Sequence, residues 1–340
     1  MRCLANLTAD YSQKHLNRTM HKLSISFIIP VYNTPEALLR RCIDSIATAA
    51  DTVDYETLIV DDGSTKTDVK AIVDSYNDSR IRYFRQDNAR QGAARNRGLD
   101  NAGKEWVQFI DSDDFLIADN YRQIIDIAAA ERPDAVMFRY RNVTDAKPAV
   151  NVRPGRIVSR TCGVDYLTEN SALGVVCNCL IRRSCLHDLR FRQDIFIEDE
   201  EYMPLMFLRF KTLIVTDAEA YAYYRHTDST TGKRTADHIE KTFSDFLTVI
   251  ASLRDVRRTI DGKQHRALSR CIDQDCVAFA YNLLRLAPDD EFFNRWLNRL
   301  FDEGILPVPK ARYNSKYTVA RFATAGRRRM RLLRLIFRAL

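Results

Sequence analysis

Apolar and polar positions along this chain keep two rhythms in turn. Short apolar runs, LSISFIIPV at 23–31, TLIV at 57–60, IRYFR at 81–85, WVQFI at 106–110 and AVMFRY at 135–140, read as strands. Between them the spacing becomes helical. Leu39, Cys42, Ile43 and Ile46 repeat at i, i+3, i+4, i+7, and Val69, Ile72, Val73 and Tyr76 form a similar stripe. The first strand is expected to stop at Pro30, which has no N–H to give a ladder. Thr34 is the expected N-cap of the next helix, with Pro35 at its first position. Gly103 is expected to close the helix written in GAARNRGLDNAG, and a further helix is expected at about 119–130. From about 236 the pattern is helical: IEKTFSDFLTVIASLRDV, HRALSRCIDQDCVAFAYNLLRLA and EFFNRWLNRLF.

Strands and helices that alternate over short connections predict a mostly parallel sheet with helices on both faces. Ligands of such sheets lie beyond the carboxyl ends of the strands. The sets PVYN (30–33), DDGS (61–64) and DSDD (111–114) each follow one of these strands. Three carboxylates in Asp111–Asp114 repel one another unless a cation joins them, and hard divalent ions take such oxygen ligands. The alternative is an acidic N-cap for the helix that follows. A second acidic set, Glu198 to Glu201, sits where the apolar run of IFIEDEEYMPLMFLRF meets a helix. It offers either a proton acceptor or charges that complement a helix dipole.

Charge sharpens this picture once it is located. The total is +7, yet the segment from Gly304 to Leu340 holds ten Lys or Arg and no acid, which leaves the rest at −3. Basicity confined to one end, without a recognisable binding motif, argues against a nucleic-acid partner. No run of 18 apolar residues predicts a transmembrane helix. The first 22 residues have no apolar core of the signal-peptide kind. Eight cysteines without a repeated Cys-x-x-Cys framework suggest reduced structural thiols and a cytoplasmic setting. Near the end, AGRRRMRLLRLIFRAL is amphipathic, with Leu333, Ile336, Phe337 and Leu340 on one face and Arg327, Arg331, Arg334 and Arg338 largely opposite. Residues 325–340 thus read as a membrane-surface helix, or else as one docked on the protein's own core.

Taken together, FIIPVYN (27–33), VDDGS (60–64), QGAARNRGL (91–99), FIDSDD (109–114), IEDEEY (197–202) and YYRHTDSTT (223–231) resemble the family 2 glycosyltransferases. The resemblance covers about residues 23–232. It implies a GT-A fold, a nucleotide-sugar donor, commonly a UDP-sugar, and transfer with inversion. It further implies that Pro30, Val31, Tyr32 and Asp62 or Asp61 hold the base, and that Arg95 lies near the nucleotide. By the same resemblance Asp111, with Ser112 beside it, faces the ribose. Asp113 and His226 would bind Mn²⁺ or Mg²⁺, and Arg225 or Ser229 would touch the diphosphate. Asp199 matches the family's base and Glu198 its acidic neighbour, while Asp114 either contacts the donor sugar or caps the next helix. One departure is Cys179, where members often carry lysine; any contact that lysine makes in the acceptor half is then either missing or supplied by Arg182 or Arg183. The implied organisation is an extension at 1–21, a catalytic domain at 22–232 (nucleotide-sugar half about 22–115, acceptor half about 116–232), helices at 233–312 and a basic tail at 313–340. The expected activity is transfer of a sugar to a glycan or lipid-linked glycan acceptor in surface polysaccharide synthesis. Two alternatives stand beside it: a sugar-phosphate nucleotidyltransferase, which would want a glycine-rich phosphate loop that FIIPVYNTP lacks, and a non-catalytic nucleotide-sugar-binding relative.

Overall fold

The computed structural model describes residues 23–144, 154–170, 175–225, 235–311 and 313–339, so the extension at 1–21 falls outside the described residues. The first half alternates as the apolar rhythm requires. It runs β1 (Ser24–Val31), α1 (Glu36–Ala49), β2 (Asp54–Asp61), α2 (Val69–Asp74), β3 (Ile81–Arg85), α3 (Arg90–Asn101) and β4 (Trp106–Phe109). These strands pair in parallel in the order β3-β2-β1-β4. Strand β1 is buried from Ile25 to Val31, which is why it reads as an almost unbroken apolar run. The α1 stripe Leu39, Cys42, Ile43 and Ile46 is buried as spaced.

The second half adds β5 (Phe115–Leu116), α4 (Ala118–Glu131), β6 (Ala135–Val143), β7 (Ile157–Thr161), α5 (Gly163–Glu169), β8 (Cys179–Arg182), α6 (Glu198–Phe207) and β9 (Leu213–Tyr224). Here the sheet becomes mixed. Strand β8 enters antiparallel between β4 and β6, and β9 runs parallel to β6 but antiparallel to β5 and β7. The nine strands form one sheet. Gln108, the polar interruption in β4, is fully buried but satisfied: its Nε2 donates to the carbonyls of Phe109 and Cys177, and Tyr121 donates to its Oε1.

Five helices follow: α7 (Ala236–Arg258), α8 (Gly262–Leu286), α9 (Asp290–Asp302), α10 (Ser315–Ala323) and α11 (Arg327–Ala339). They enclose a second apolar core around Phe243, Phe279 and Trp296, against which Ile197, Leu205 and Leu208 of the α6 region also pack. No described helix is long and apolar enough to cross a membrane.

Several local expectations change. Strand β1 continues through Pro30 to Val31. Its pairing with β4 ends at Ile28 opposite Phe109, so on that side the missing N–H meets no ladder. The α1 cap is Pro35, without a side-chain bond, because the Thr34 hydroxyl is engaged with Ser112 instead. Ala102, not Gly103, ends α3, and Gly103 N donates to Glu56, which Ser26 and Arg82 also hold. On α11 the inward stripe is Met330, Leu333, Arg334 and Phe337. Leu333 and Phe337 therefore face the core, Arg334 is buried, and Leu340 lies outside the described residues.

Two glycines set how closely α3 approaches its neighbours. A Cβ at Gly98 would stand 2.3 Å from Ile28 Cγ2, and one at Gly92 would stand 2.5 Å from the Arg192 carbonyl oxygen. Gly98→Ala is expected to destabilise the protein by about 1–3 kcal/mol through overpacking against β1, read as a lower denaturant midpoint with an unchanged slope.

Candidate active site

The carboxyl ends of β1, β2 and β4 present their polar sets to one edge of the sheet, and α3 runs beneath them as a spine. At its start, Asp62 Oδ1 accepts from Ala89 N and Gln86 Nε2 at 2.9 and 2.8 Å. Within the same first turn, Gln91 Nε2 donates to Asp111 Oδ1 at 2.6 Å. Next comes Arg95, 2% exposed. Its Nη2 reaches Asp111 Oδ1 at 2.9 Å, and its Nη1 reaches Glu198 Oε1 at 2.7 Å and Asp199 Oδ1 at 2.8 Å. The expected nucleotide-side arginine is thus the joint between the D-x-D turn and the acidic start of α6.

Burial opposes the charge of Arg95, but the carboxylates of Asp199, Asp111 and Glu198 more than offset it and hold the guanidinium protonated. Burial likewise pushes Glu198 up to about 7, with Arg95 pulling it back and Asp199 adding to the rise. Asp199 is also raised, by burial first, against the pull of Arg95. Its Oδ2 accepts from Val176 N at 3.3 Å, and its side chain remains 17% exposed.

The D-x-D turn has its own scaffold. Asp114 accepts from Tyr221 OH at 2.6 Å and Tyr224 N at 2.7 Å, while Asp111 N donates to the same phenolic oxygen, Tyr221 Oη, at 3.1 Å. Asp114 therefore ties the turn to β9 and does not cap α4, whose N-cap is Ile117 without a side-chain bond. Burial, then the charges of Asp111 and Asp113, push Asp114 up to about 8. Arg41 donates to the Asp113 carbonyl at 2.6 Å, its guanidinium 4.5 Å from the Phe115 ring and 4.4 Å from the Tyr224 ring. Ser112 is held by Thr34 at 2.6 Å.

Asp61 is fully buried and bonds Ser64 N, Tyr83 OH and Arg85 Nη1, so its carboxylate builds the DDGS turn. Asn33, in the left-handed region at φ 54°, joins that turn to PVYN by accepting from Thr65 N and Lys66 N. Pro30 and Val31 lie in β1, whereas the Tyr32 side chain stands 54% exposed at the rim. Arg225, just beyond β9, donates to Asn142. His226 and Ser229 lie outside the described residues. Arg182 and Arg183 do not take a lysine's place at this edge. Arg182 sits opposite Trp106, at the start of β4, and bonds Glu105 and Pro133, while Arg183 bonds Lys104. Arg41 and Tyr221 carry no signal in sequence beyond their residue type, since what defines them is a partner far along the chain, whereas Asn33 and Gln91 lie inside quoted motifs that do not reveal their partners.

Could this edge hold a divalent ion? Among the described residues no three His, Cys, Asp or Glu already stand in ligating geometry. The donor chemistry nevertheless fits. Asp111 and Asp113 supply hard oxygen atoms at one turn, and Asp111 keeps 29% of its side chain exposed there.

A mixed sheet with an acidic carboxyl edge and a carboxylate-bearing helix across from it defines an α/β transferase site of GT-A type. Residues 26–190, just under half of the chain, match the family model described as glycosyl transferase family 2, and over this stretch the chain is similar to that family. Among curated relatives, the glycosyltransferase GlyA of Streptococcus pneumoniae is 41% identical over 110 residues, 31% of this chain and 16% of the relative. The GalNAc(5)-diNAcBac-PP-undecaprenol beta-1,3-glucosyltransferase of Campylobacter jejuni is 40% identical over 103 residues, 29% of this chain and 32% of the relative. The matches span 16% to 36% of the length of the first curated relatives and of this chain. In structure, S. aureus TarS 1–349, solved in complex with UDP-GlcNAc, superposes with a TM-score of 0.68 at 17% identity, covering 93% of this chain and 91% of that one.

Arg95→Gln is expected to lower stability by about 3–5 kcal/mol at pH 7, the cost of leaving buried carboxylates without their counter-charge. The loss should shrink as pH falls below 7, because Glu198 and Asp199, both with raised values, are then increasingly protonated and need the guanidinium less. Denaturant midpoints at several pH values measure it.

Proposed function

We propose that this chain is an inverting, metal-dependent glycosyltransferase that moves a sugar from a nucleotide-sugar, a UDP-sugar, to a hydroxyl of a glycan or lipid-linked glycan in surface polysaccharide synthesis, working at the cytoplasmic face of a membrane. The observation that carries the reading is Arg95, one side chain bonded both to Asp111 of the D-x-D turn and to Asp199. Donor and acceptor chemistry need a cation-binding carboxylate and a proton acceptor within one hollow, and that link supplies the closeness. The UDP-GlcNAc complex of TarS and the lipid-diphosphate acceptor in the Campylobacter relative's name support the donor and acceptor classes.

In this reading Pro30, Val31 and Tyr32 line the base, and the carboxylate of Asp62 accepts the imide N–H of uracil. Asp111 holds the ribose, steadied by Gln91 and Arg95. Asp113 and His226 hold Mn²⁺ or Mg²⁺, and Arg225 and Ser229 bind the diphosphate. The bound ion supplies charge compensation to the departing nucleoside diphosphate. Asp199 takes the proton of the acceptor hydroxyl as that oxygen bonds to the anomeric carbon and the bond from that carbon to the diphosphate oxygen breaks. Glu198, sharing Arg95, keeps the α6 start in register for this transfer.

A nucleotide-release assay over a panel of sugar nucleotides, with Mn²⁺ or Mg²⁺, tests the reading. Asp199→Asn is expected to lower kcat by roughly 10²–10⁴-fold with the donor KM nearly unchanged. Asp113→Ala is expected to lose the response to added metal; activity equal to wild type would overturn the assignment. Since burial raises Asp199, kcat/KM should begin to fall on acidification above the ordinary aspartate range near 4.

A further inference from the structure

The last two helices carry more exposed apolar surface than folding accounts for. Val319 and Phe322 of α10 are each 67% exposed, and Leu332, Leu335 and Ile336 of α11 are 62%, 62% and 51% exposed. On each helix these residues lie three or four apart, so each set shares one face. The two sets are joined at the corner between the helices. Arg329 places its guanidinium 4.1 Å from the Phe322 ring centroid and donates to the Phe322 carbonyl, one turn ahead of Leu332.

This face is separate from the one that fixes α11 to the body. Met330, fully buried, and Leu333, Arg334 and Phe337 point inward, and Arg334 donates to the carbonyls of Leu284 and Ala287 at the end of α8. That anchoring leaves the outer stripe without a structural task. Along α10 and α11 the charge has one sign, and the acids that reach α11, Asp302 and Asp290 of α9, are taken up by Arg327 and Arg338. The segment from Gly304 to Leu340 has no Asp or Glu. Arg328 and Arg329 are exposed, and neither they nor Arg321 form a salt bridge among the described residues.

We propose that this two-helix face, Val319, Phe322, Leu332, Leu335 and Ile336 rimmed by Arg321, Arg328 and Arg329, is a seat on an anionic lipid surface. Shallow apolar side chains enter the acyl boundary while arginines meet the phosphates, the division of labour of an interfacial helix. A second copy of this chain fits less well, since it would bring an equally basic rim against this one. The inference deepens the membrane-side reading above but not its chemistry, because lipid binding is measured without donor or acceptor.

The test is flotation of the full chain with vesicles of phosphatidylcholine alone or mixed with phosphatidylglycerol, alongside nucleotide release with a soluble acceptor. Wild type should partition onto the anionic vesicles about tenfold or more above the neutral ones, and less at high salt. The triple variant Leu332→Ser, Leu335→Ser, Ile336→Ser should lose about tenfold or more of that partition while its nucleotide release stays at the wild-type level. Arg328→Glu with Arg329→Glu should weaken anionic binding similarly and leave the melting temperature unchanged. Wild type that ignores anionic vesicles, or a triple variant that floats as wild type does, overturns the proposal. So does a triple variant whose only change is conversion of a dimer to a monomer in light scattering. Failure in any of these leaves the transfer reading standing, and a catalytically inert protein that still floats would separate the two the other way.

Discussion

A single buried guanidinium sets the terms for the rest of this site. Arg95 is shared among Asp111, Glu198 and Asp199, residues contributed by a strand-end turn and by a helix nearly ninety positions further along. A cation so thoroughly removed from water is tolerated only with its partners in place, so neither group of acids can shift without stranding it. Much of the local architecture follows from bringing α3 near enough to deliver it. Gly98 lets α3 lie against Ile28, and Gly92 lets it lie against the carbonyl of Arg192. Phe191, whose ring lies 5.3 Å from the Arg95 guanidinium and stacks on Tyr202, fills the space below.

The acids at the sheet edge divide into builders and actors. Asp61 and Asp114 spend their oxygens on neighbouring structure, one on the DDGS turn and β3 and the other on Tyr221 and Tyr224 of β9. Asp62 spends only one oxygen, on the start of α3. Asp111 and Asp199 keep some exposure, 29% and 17% for their side chains, and Asp113 is likewise only partly buried, so these three have room to meet a ligand. Burial is what separates identical residue types into these roles, and it cannot be read from their order in the chain.

That difference explains how much the sequence disclosed. Strands of the first half were plain because a sheet covered on both faces needs unbroken apolar runs, and α1 because its stripe has a regular period. The mixed second half was harder: β8 and β9 owe their direction to long-range pairing, and nothing in CLIR or LIVTDAEAYAYY specifies a neighbour. The motif carriers Asp111, Asp113 and Asp199 were visible as clusters, while the contacts of Arg95 were not, because they join positions 16, 103 and 104 residues apart. On α11 both an inward and an outward stripe are apolar, so periodicity alone mixed them: Leu333 and Phe337 belong to the inward one and Ile336 to the outward. Arg334 misled further, since its burial rests on carbonyls at the end of α8.

The helix α6, which opens with Glu198 and Asp199, is also fastened from behind. Glu201 is bonded by Arg192 and by Ser252 of α7, and Asp245 of α7 accepts from Phe196 N just ahead of α6. The C-terminal helices are therefore part of the frame that holds the carboxylates in position. Chimeras that exchange the helical region between relatives would have to carry Ser252 and Asp245 across the junction, or the transplanted bundle would arrive with α6 unmoored.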